Sequence, residues 1–279
     1  MPQKQIRIAQ ISDLHIKAPG RLAYGRVDTA NALERCVATL NTFEPAPDFV
    51  VISGDLVDTP SAEEYEHLKR LLAPLKIRFA GIPGNHDGRE LMRAAFPATA
   101  YAHSSGALNQ KIAVGELDLL LLDSSVPGKP HGELEGPTLQ WLETTLASSK
   151  ERPALLFLHH PPFVAGIWHM DHQNLRNAAE LEAIVRSHPR VKIVATGHVH
   201  RAALAMFAGV PCTICPAPNH AVDLDLAKLR KPSFKVEPPA FHLHTFFAGE
   251  GLGRLVTHQV PIGLFDGPHP FFGADGKLL

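Results

Sequence analysis

The chain contains few cysteines and no long apolar run. It has 279 residues, and three of them are cysteines, Cys36, Cys212 and Cys215. Three cysteines cannot form a disulfide framework, so a reducing compartment is expected. No segment approaches the roughly 18 consecutive apolar residues of a membrane span. The polar lead before Ser12 is too short for a signal peptide with a cleavage site, so we expect a cytoplasmic protein.

Net charge is also nearly absent, at a formal value of −1 at pH 7. A protein with a general nucleic-acid surface would normally carry a basic excess, so neither nucleic acid nor a membrane is expected as a partner. Hydrophobic residues make up 45% of the chain and charged residues 20%, which is typical of a soluble globular enzyme. The length fits one large domain, or a main domain with a smaller appendage.

Apolar runs predict strands that alternate with helices over the first 196 residues. Predicted strands lie at 6–12, 48–53, 77–83, 117–124, 154–159 and 191–196. Helical spacing of apolar residues predicts helices at 28–41, 138–147 and 178–188, and a Ser-x-x-Glu capping box predicts another from Ser61. Asn177 is a candidate cap for the helix at 178–188. This alternation indicates βαβ units.

After His200 the pattern changes. Segments 203–215, 241–247 and 255–260 have a β pattern without intervening helices, and prolines interrupt the sequence around them. This pattern predicts hairpins at a sheet edge or a small C-terminal cap.

Histidine is unusually frequent, with 17 copies. Six of these lie in five short polar motifs, and each motif follows an apolar run. The motifs are Asp13-Leu14-His15, Gly54-Asp55, Gly84-Asn85-His86-Asp87, His159-His160-Pro161-Pro162 and Gly197-His198-Val199-His200. In a parallel α/β sheet, residues just past the carboxyl ends of strands converge on one crevice. The five motifs therefore predict a single polar site.

The residue types in these motifs indicate two metal ions. The candidate ligands are Asp13, His15, Asp55, Asn85, His159, His198 and His200. A mixed set of oxygen and nitrogen ligands suits Mn, Fe, Zn or Co. Two such ions about 3.5–4 Å apart clamp a phosphoryl group and lower the pKa of water from about 15.7 towards about 7, which supplies hydroxide for in-line attack.

Two of the motif residues are expected to be catalytic. Asp55 lies between the other ligands in chain order and is the natural bridge between the ions. Gly54 before it lets the backbone approach the metals closely. His86 cannot easily share a metal with its neighbour Asn85, so it is expected to donate a proton to the phosphoryl oxygen or the leaving group.

The order of the five motifs resembles the calcineurin-like metallophosphoesterase superfamily. Within it the chain is similar to the bacterial class III cyclic nucleotide phosphodiesterases and the related glycerophosphodiesterases. Met170-Asp171, followed by Leu175 and Asn177, resembles the substrate loop of that subfamily, as does Tyr24-Gly25. The resemblance covers roughly residues 6 to 220. It implies a four-layered α/β/β/α sandwich of two mixed sheets.

The resemblance also implies specific roles. One metal would take Asp13, His15, Asp55 and His200, and the other would take Asp55, Asn85, His159 and His198. Substrate would contact His86 and Asn85, and His220 would lie on the substrate side. Residues 1–220 would form the catalytic domain. Residues 221–279 would form a cap that pairs subunits into a homodimer or larger oligomer, with the segment 221–239 departing from the family.

Some residues leave two interpretations open. Asp58 and Asp123 either orient metal ligands or merely end strands. His160 either supports its neighbour His159 or packs between the adjacent prolines. Cys212 and Cys215 have the spacing of a redox motif, but they lie in a predicted strand, which favours simple packing.

The predicted activity is hydrolysis of small phosphodiesters, namely 3′,5′-cyclic nucleotides, glycerophosphodiesters or both. A phosphomonoesterase is the nearest alternative, but its site usually adds arginines beside the metals. Here the positions that follow Gly54-Asp55 and precede Gly84 contain none. A non-catalytic interaction scaffold on the same fold typically loses ligands, whereas this chain keeps all of them.

Overall fold

The computed structural model describes residues 5–99, 105–149, 151–249 and 251–279. The helices in these ranges are α1 (Thr29–Thr42), α2 (Ala62–Leu72), α3 (Arg89–Ala95), α4 (Gly136–Ala147), α5 (Trp168–Asp171) and α6 (Ala178–Ser187). The strands are β1 (Gln5–Ile11), β2 (Phe49–Ile52), β3 (Phe79–Gly81), β4 (Gln110–Val114), β5 (Leu117–Leu121), β6 (Ala154–Phe157), β7 (Val191–Thr196), β8 (Ala203–Phe207), β9 (Val210–Ile214), β10 (Ala221–Val222), β11 (Phe234–Lys235), β12 (Ala240–Phe247) and β13 (Arg254–Pro261). Within these ranges, no helix is long and apolar enough to cross a membrane.

Two mixed sheets form the centre of the molecule. The first has the order β13-β12-β1-β2-β3, in which β1, β2 and β3 are parallel. The second has the order β4-β5-β6-β7-β9-β8, with parallel strands from β5 to β9 and antiparallel edge strands. A separate hairpin pairs β10 with β11.

The buried apolar side chains form layers that match these sheets. Ile8 of the first sheet and Leu119 of the second belong to one cluster between the sheets. Leu33 of α1 packs in a cluster on the outer face of the first sheet, and Leu181 of α6 does so on the second. The expected α/β/β/α sandwich is therefore confirmed.

Two local predictions about helix caps need correction. Ser61 caps α2 by accepting a hydrogen bond from the Glu64 backbone N–H, but the Glu64 carboxylate accepts from Thr59 N–H at 2.7 Å. The capping box is therefore only half formed. The Asn177 side chain makes no cap for α6 and bonds the backbone N–H and carbonyl of Leu134 instead. Asn177 has thus exchanged a local partner for a long-range one, whereas Glu64 bonds the backbone just ahead of its own helix.

The last strands belong to the first sheet. β12 lies between β1 and β13, and its Phe241 and Phe246 are buried. The expectation of hairpins at a sheet edge is confirmed, because β8 and β13 are both edge strands. The division of the chain at residue 220 stays a prediction. The structure adds that Ala240–Pro261, from the expected cap segment, extends the sheet that carries β1.

Candidate metal centre

The five polar motifs lie at the carboxyl ends of strands from both sheets. The motifs of Asp13, Asp55 and Asn85 follow β1, β2 and β3 of the first sheet. Those of His159 and His198 follow β6 and β7 of the second sheet. The site therefore lies where the same ends of the two sheets meet.

Five of the seven predicted ligands have a left-handed backbone. Their φ angles are 58° at Asp13, 47° at His15, 51° at Asp55, 74° at His198 and 56° at His200. Non-glycine residues rarely adopt this conformation, and such strain persists where the surroundings enforce it, typically at functional sites. Because each of these residues leaves the strand direction abruptly, its side chain can turn towards the common centre.

Glycines in the motifs allow the ligands to pack closely. A Cβ atom on Gly54 would lie 2.3 Å from Nδ1 of His159, and one on Gly84 would lie 2.1 Å from Oδ1 of Asp55. A Cβ atom on Gly197 would lie 2.9 Å from Oδ2 of Asp13. No side chain fits at these positions without displacing a candidate ligand.

Asp13, His15, Asp55 and His200 form the first ligand group, and all four are buried. One donor atom from each lies within 4.8 Å of the others. Nε2 of His15 is 3.1 Å from Nε2 of His200 and 3.5 Å from Oδ2 of Asp55. Nε2 of His200 is 3.4 Å from Oδ1 of Asp13.

The second group centres on Nε2 of His159. This atom lies 3.2 Å from Oδ1 of Asn85, 3.3 Å from Nδ1 of His198 and 3.4 Å from Oδ2 of Asp55. Oδ2 of Asp55 is thus close to both groups. The geometry suits a carboxylate shared by two ions.

Other contacts aim the ring nitrogens. Nδ1 of His159 donates to the Ser53 carbonyl at 2.9 Å, and Nδ1 of His200 lies 3.3 Å from the His220 carbonyl. In each case Nε2 is left to face the cluster. Metal-binding histidines are commonly oriented in this way.

The donor set fits two divalent cations. Buried carboxylates and closely packed imidazoles need a compensating charge, which coordination to a metal supplies. The mixture of carboxylate, amide and imidazole donors matches the preference of borderline transition metals.

The protonation states of His198 and His200 also suit metal binding. Burial lowers the pKa of His198 to about 3 and holds the pKa of His200 well below its usual value. Both rings are thereby kept in the neutral form that binds a metal. Burial raises the pKa of Asp13 to about 6, whereas at Asp55 the effect of burial is outweighed by nearby His159, and the pKa falls well below its usual value.

A family model, calcineurin-like phosphoesterase, matches residues 6–202. The chain belongs to this family. It is 38% identical over 273 residues to a probable glycerophosphodiester phosphodiesterase of Arcobacter nitrofigilis, covering 98% of this chain and 99% of that one. It is 34% identical over 200 residues to a 3′,5′-cyclic adenosine monophosphate phosphodiesterase of Escherichia coli, covering 71% of each. A dimetal phosphatase of Danio rerio shares the fold, with a TM-score of 0.62, 14% identity and coverage of 92% of this chain and 99% of that one.

In this phosphoesterase, Asp58 touches the candidate site in two ways. Its carboxylate lies 3.2 Å from Nδ1 of His15 and forms an ion pair with Lys17 at 2.8 Å. Its backbone carbonyl accepts a hydrogen bond from Nδ1 of His86 at 2.7 Å. The structure therefore supports the interpretation in which Asp58 orients a candidate metal ligand, His15.

Asp123 lies apart from the ligands. It pairs with Arg89 at 2.8 Å and accepts backbone hydrogen bonds from Leu108 and Ser125. These contacts hold a loop in place, which agrees with the interpretation of Asp123 as a strand-end residue.

His160 and the two cysteines pack in the interior. Nδ1 of His160 lies 2.8 Å from the Ser124 hydroxyl, and its ring centroid is 4.8 Å from that of His198. His160 therefore packs beside the candidate ligands through its contacts with Ser124 and His198.

Cys212 and Cys215 are buried and free, and burial raises the pKa of both thiols, so simple packing is the better interpretation.

Two further residues beside the ligands, Asp87 and Asn219, had no predicted role. The Asp87 carboxylate accepts hydrogen bonds from Leu56 N–H at 3.0 Å and Gly84 N–H at 2.9 Å, and so it ties together the loops that carry Asp55 and Asn85. The Asn219 amide donates to the Asp13 carbonyl at 2.9 Å. Asp87 ends the Gly84 motif and Asn219 precedes His220, but only the folded chain reveals their partners.

A cavity of about 380 Å³ opens above the ligand groups. The described residues that line it are His15, Tyr24, Asp55, Asn85, His86, Met170, Gln173, His198, His200, His220, Val222, Pro232, Ser233 and Phe234. Among these lining residues there is no arginine or lysine.

The predicted substrate-side residues reach this cavity only in part. His86, His220, Tyr24 and Met170 line it. Asp171 instead accepts backbone hydrogen bonds from the loop before α5, at 2.7 Å and 3.0 Å. Leu175 and Asn177 also belong to the segment that resembles the substrate loop of the subfamily, but neither lines the cavity. Phe234 and Gln173, which line the cavity, were not predicted.

Proposed function

We propose that the protein is a binuclear metal-dependent phosphodiesterase that hydrolyses small phosphodiesters. The position of Asp55 Oδ2, 3.5 Å from His15 and 3.4 Å from His159, carries this proposal. The metals would be two of Mn, Fe, Zn or Co, held by Asp13, His15, Asp55 and His200 on one side and by Asp55, Asn85, His159 and His198 on the other. Bound there, such ions would polarise the phosphoryl group and activate water.

His86 is proposed to supply the proton for the leaving group. Its Nδ1 donates to the Asp58 carbonyl, so Nε2 remains for the substrate in the cavity that His86 lines. When the ring is protonated, Nε2–H is the acidic group in that position. His86 therefore has a fixed orientation and a single free nitrogen.

Asn85 and His220 are proposed to bind the substrate. Asn85 directs its Oδ1 towards His159 at 3.2 Å, which leaves the amide N–H groups for a phosphoryl oxygen. His220 lines the cavity and packs against His200, with ring centroids 4.5 Å apart. Both residues line the cavity, where a bound substrate would contact them.

The cavity supports a diester over a monoester substrate. A monoester dianion carries an additional charge that arginine commonly binds. The described lining residues include no cationic side chain of this kind, and a diester has a single negative charge for the metals to neutralise. The relatives from Arcobacter nitrofigilis and Escherichia coli are also named as phosphodiesterases.

A comparison of two aryl phosphates tests the proposal. Manganese-reconstituted protein should hydrolyse bis(p-nitrophenyl) phosphate with a higher kcat/KM than p-nitrophenyl phosphate, and chelation should abolish both rates. A preference for the monoester would favour the phosphomonoesterase alternative. Absence of hydrolysis with full metal occupancy would favour the scaffold alternative.

We also propose that the C-terminal segment pairs subunits. Beyond β13 several apolar side chains are 59–104% exposed, which often marks a contact surface. They are Leu264, Phe265, Phe271, Phe272, Leu278 and Leu279. The β10–β11 hairpin from the same segment lines the cavity, in keeping with a cap over the site.

Three buried free cysteines support a cytoplasmic location.

A further inference from the structure

Two aromatic rings lie together in the wall of the cavity. Tyr24 and Phe234 have ring centroids 5.0 Å apart and planes inclined by 34°. His220 packs edge-on against both, at 5.2 Å from each. Tyr24 remains 55% exposed despite these contacts. The pair therefore offers an uncovered aromatic surface next to the candidate metal site.

The hairpin that carries Phe234 is held in place by Arg201, a residue beside the candidate ligand His200. Arg201 directly follows His200 in the chain, and its guanidinium Nε donates to the Val222 carbonyl at 3.1 Å. The same guanidinium pairs with Glu237 at 2.6 Å. These contacts fasten both ends of the hairpin that carries Phe234. A surface fixed before binding loses little conformational entropy when a ligand arrives.

Tyr24 is presented by a tight turn. Ala23 and Val27 exchange two backbone hydrogen bonds of 2.9 Å, and Tyr24 and Gly25 between them have φ angles of 51° and 64°. A tyrosine in this left-handed region is strained, and strain of this kind clusters at binding sites. Both rings are thus placed by specific backbone features.

The arrangement suits a planar ring better than an ammonium group. A quaternary ammonium is usually bound by several rings that surround it. Here Tyr24 and Phe234 pack on one another instead of surrounding a space, and Tyr24 stays 55% exposed. Gln173 and Ser233 line the same cavity and offer polar groups for the edge of a heterocycle.

We propose that Tyr24 and Phe234 form an aromatic platform that stacks on a nucleobase, and that this platform selects nucleotide diesters over diesters of aliphatic alcohols. The proposal rests on the proposed function, since it assigns the substrate class of the same site. The platform combines a turn near the N-terminus with the β10–β11 hairpin.

Matched inhibitors test the platform. AMP and ribose 5-phosphate differ only in the base, and each is measured as a competitive inhibitor of bis(p-nitrophenyl) phosphate hydrolysis by the manganese-loaded full-length chain. AMP should bind more tightly by a factor of about 5–150, the range given by stacking one base on an aromatic side chain. Phe234→Leu and Tyr24→Leu should bring this ratio towards one, whereas Phe234→Tyr should preserve it.

Val236→Ala is the matched control. Val236 lies two residues from Phe234, is 73% exposed and does not line the cavity, so the ratio should not change. Circular dichroism checks that each variant is folded.

Two results would overturn the platform. These are a ratio near one in the unsubstituted protein and equal weakening of both inhibitors in the leucine variants. Failure of the proposed function is a separate result, namely no diester hydrolysis with metals bound. In that event calorimetric titration with the same two ligands applies the same criteria.

Discussion

The carboxylate of Asp58 lies 3.2 Å from Nδ1 of His15, a candidate metal ligand. Nδ1 is the ring nitrogen that points away from the other candidate ligands. Nε2 of the same ring is directed at Asp55 and His200. Burial opposes ionisation of Asp58, but bonds from His15 and Lys17 outweigh it and hold its pKa well below the usual value. Asp58 is therefore an anion that fixes both the orientation and the tautomer of His15.

Asp58→Asn should lower metal affinity or activity by about 10–100-fold, the usual effect of losing a partner of a metal-bound histidine. Metal affinity is measured by competition with a chelator. Asp123→Asn is the control, because Asp123 pairs with Arg89 and contacts no candidate ligand among its described partners. It should leave metal affinity unchanged and lower Tm instead. Equal metal affinity in both variants would contradict the orienting role of Asp58.

Gly84→Ala should disrupt the metal centre. The added Cβ would lie 2.1 Å from Oδ1 of Asp55 and 2.5 Å from its backbone nitrogen, so Asp55 must move. Activity and metal content should both fall. Gly136→Ala is the control because a Cβ there meets no atom within 4 Å. Wild-type metal content in Gly84→Ala would show that the site tolerates displacement of Asp55.

Asp55→Ala should abolish activity more completely than Asp13→Ala. Asp55 is close to both ligand groups, whereas the nearest imidazole to Asp13 is that of His200, at 3.4 Å. Residual rates are compared at saturating metal, together with the metal content of each variant. Equal residual rates would remove the bridging assignment.

His86→Ala should retain the metals and lower kcat by about 10²–10⁴-fold, as expected for loss of a general acid. The loss should be smaller for diesters with good leaving groups such as p-nitrophenol, since these need less protonation. The measurement is kcat across a leaving-group series at full metal occupancy. A uniform loss would instead make His86 an electrostatic or positioning residue.

If the tail pairs subunits as proposed, removal of residues 263–279 should give a smaller species while the fold is kept, because these residues follow the last strand. Light scattering measures the size. Truncation after residue 220 is a poorer test of this surface. It also removes β12, with buried Phe241 and Phe246, and the hydrogen bond between His244 and Gln10 beneath the site. An unchanged size after the shorter deletion would contradict pairing through the tail.

Much of the fold and the candidate site could be predicted from local sequence patterns. Apolar runs locate the strands, and the polar residues that follow them converge because parallel strands end at one edge. The left-handed backbone at Asp13 and Asp55 was not predicted, since no residue there signals it. The approach of Gly84 to Asp55 likewise depends on two loops that the sequence separates.

Contacts between distant parts of the chain account for what local patterns missed. β12 pairs with β1 across more than 200 residues, and no local pattern specifies that neighbour. Asn177 took a tertiary partner, the Leu134 backbone, in place of the helix end that its position suggests. Phe234 escaped prediction because the two-residue strand that carries it is too short to show a period.

The metal stoichiometry of the active enzyme tests the central claim most directly. Metal-free protein is titrated with Mn²⁺, with elemental analysis and the rate of bis(p-nitrophenyl) phosphate hydrolysis measured at each step. Because Asp55 lies between the two candidate ligand groups, activity should rise until about two ions are bound per chain. Full activity with one ion bound per chain would contradict the binuclear centre.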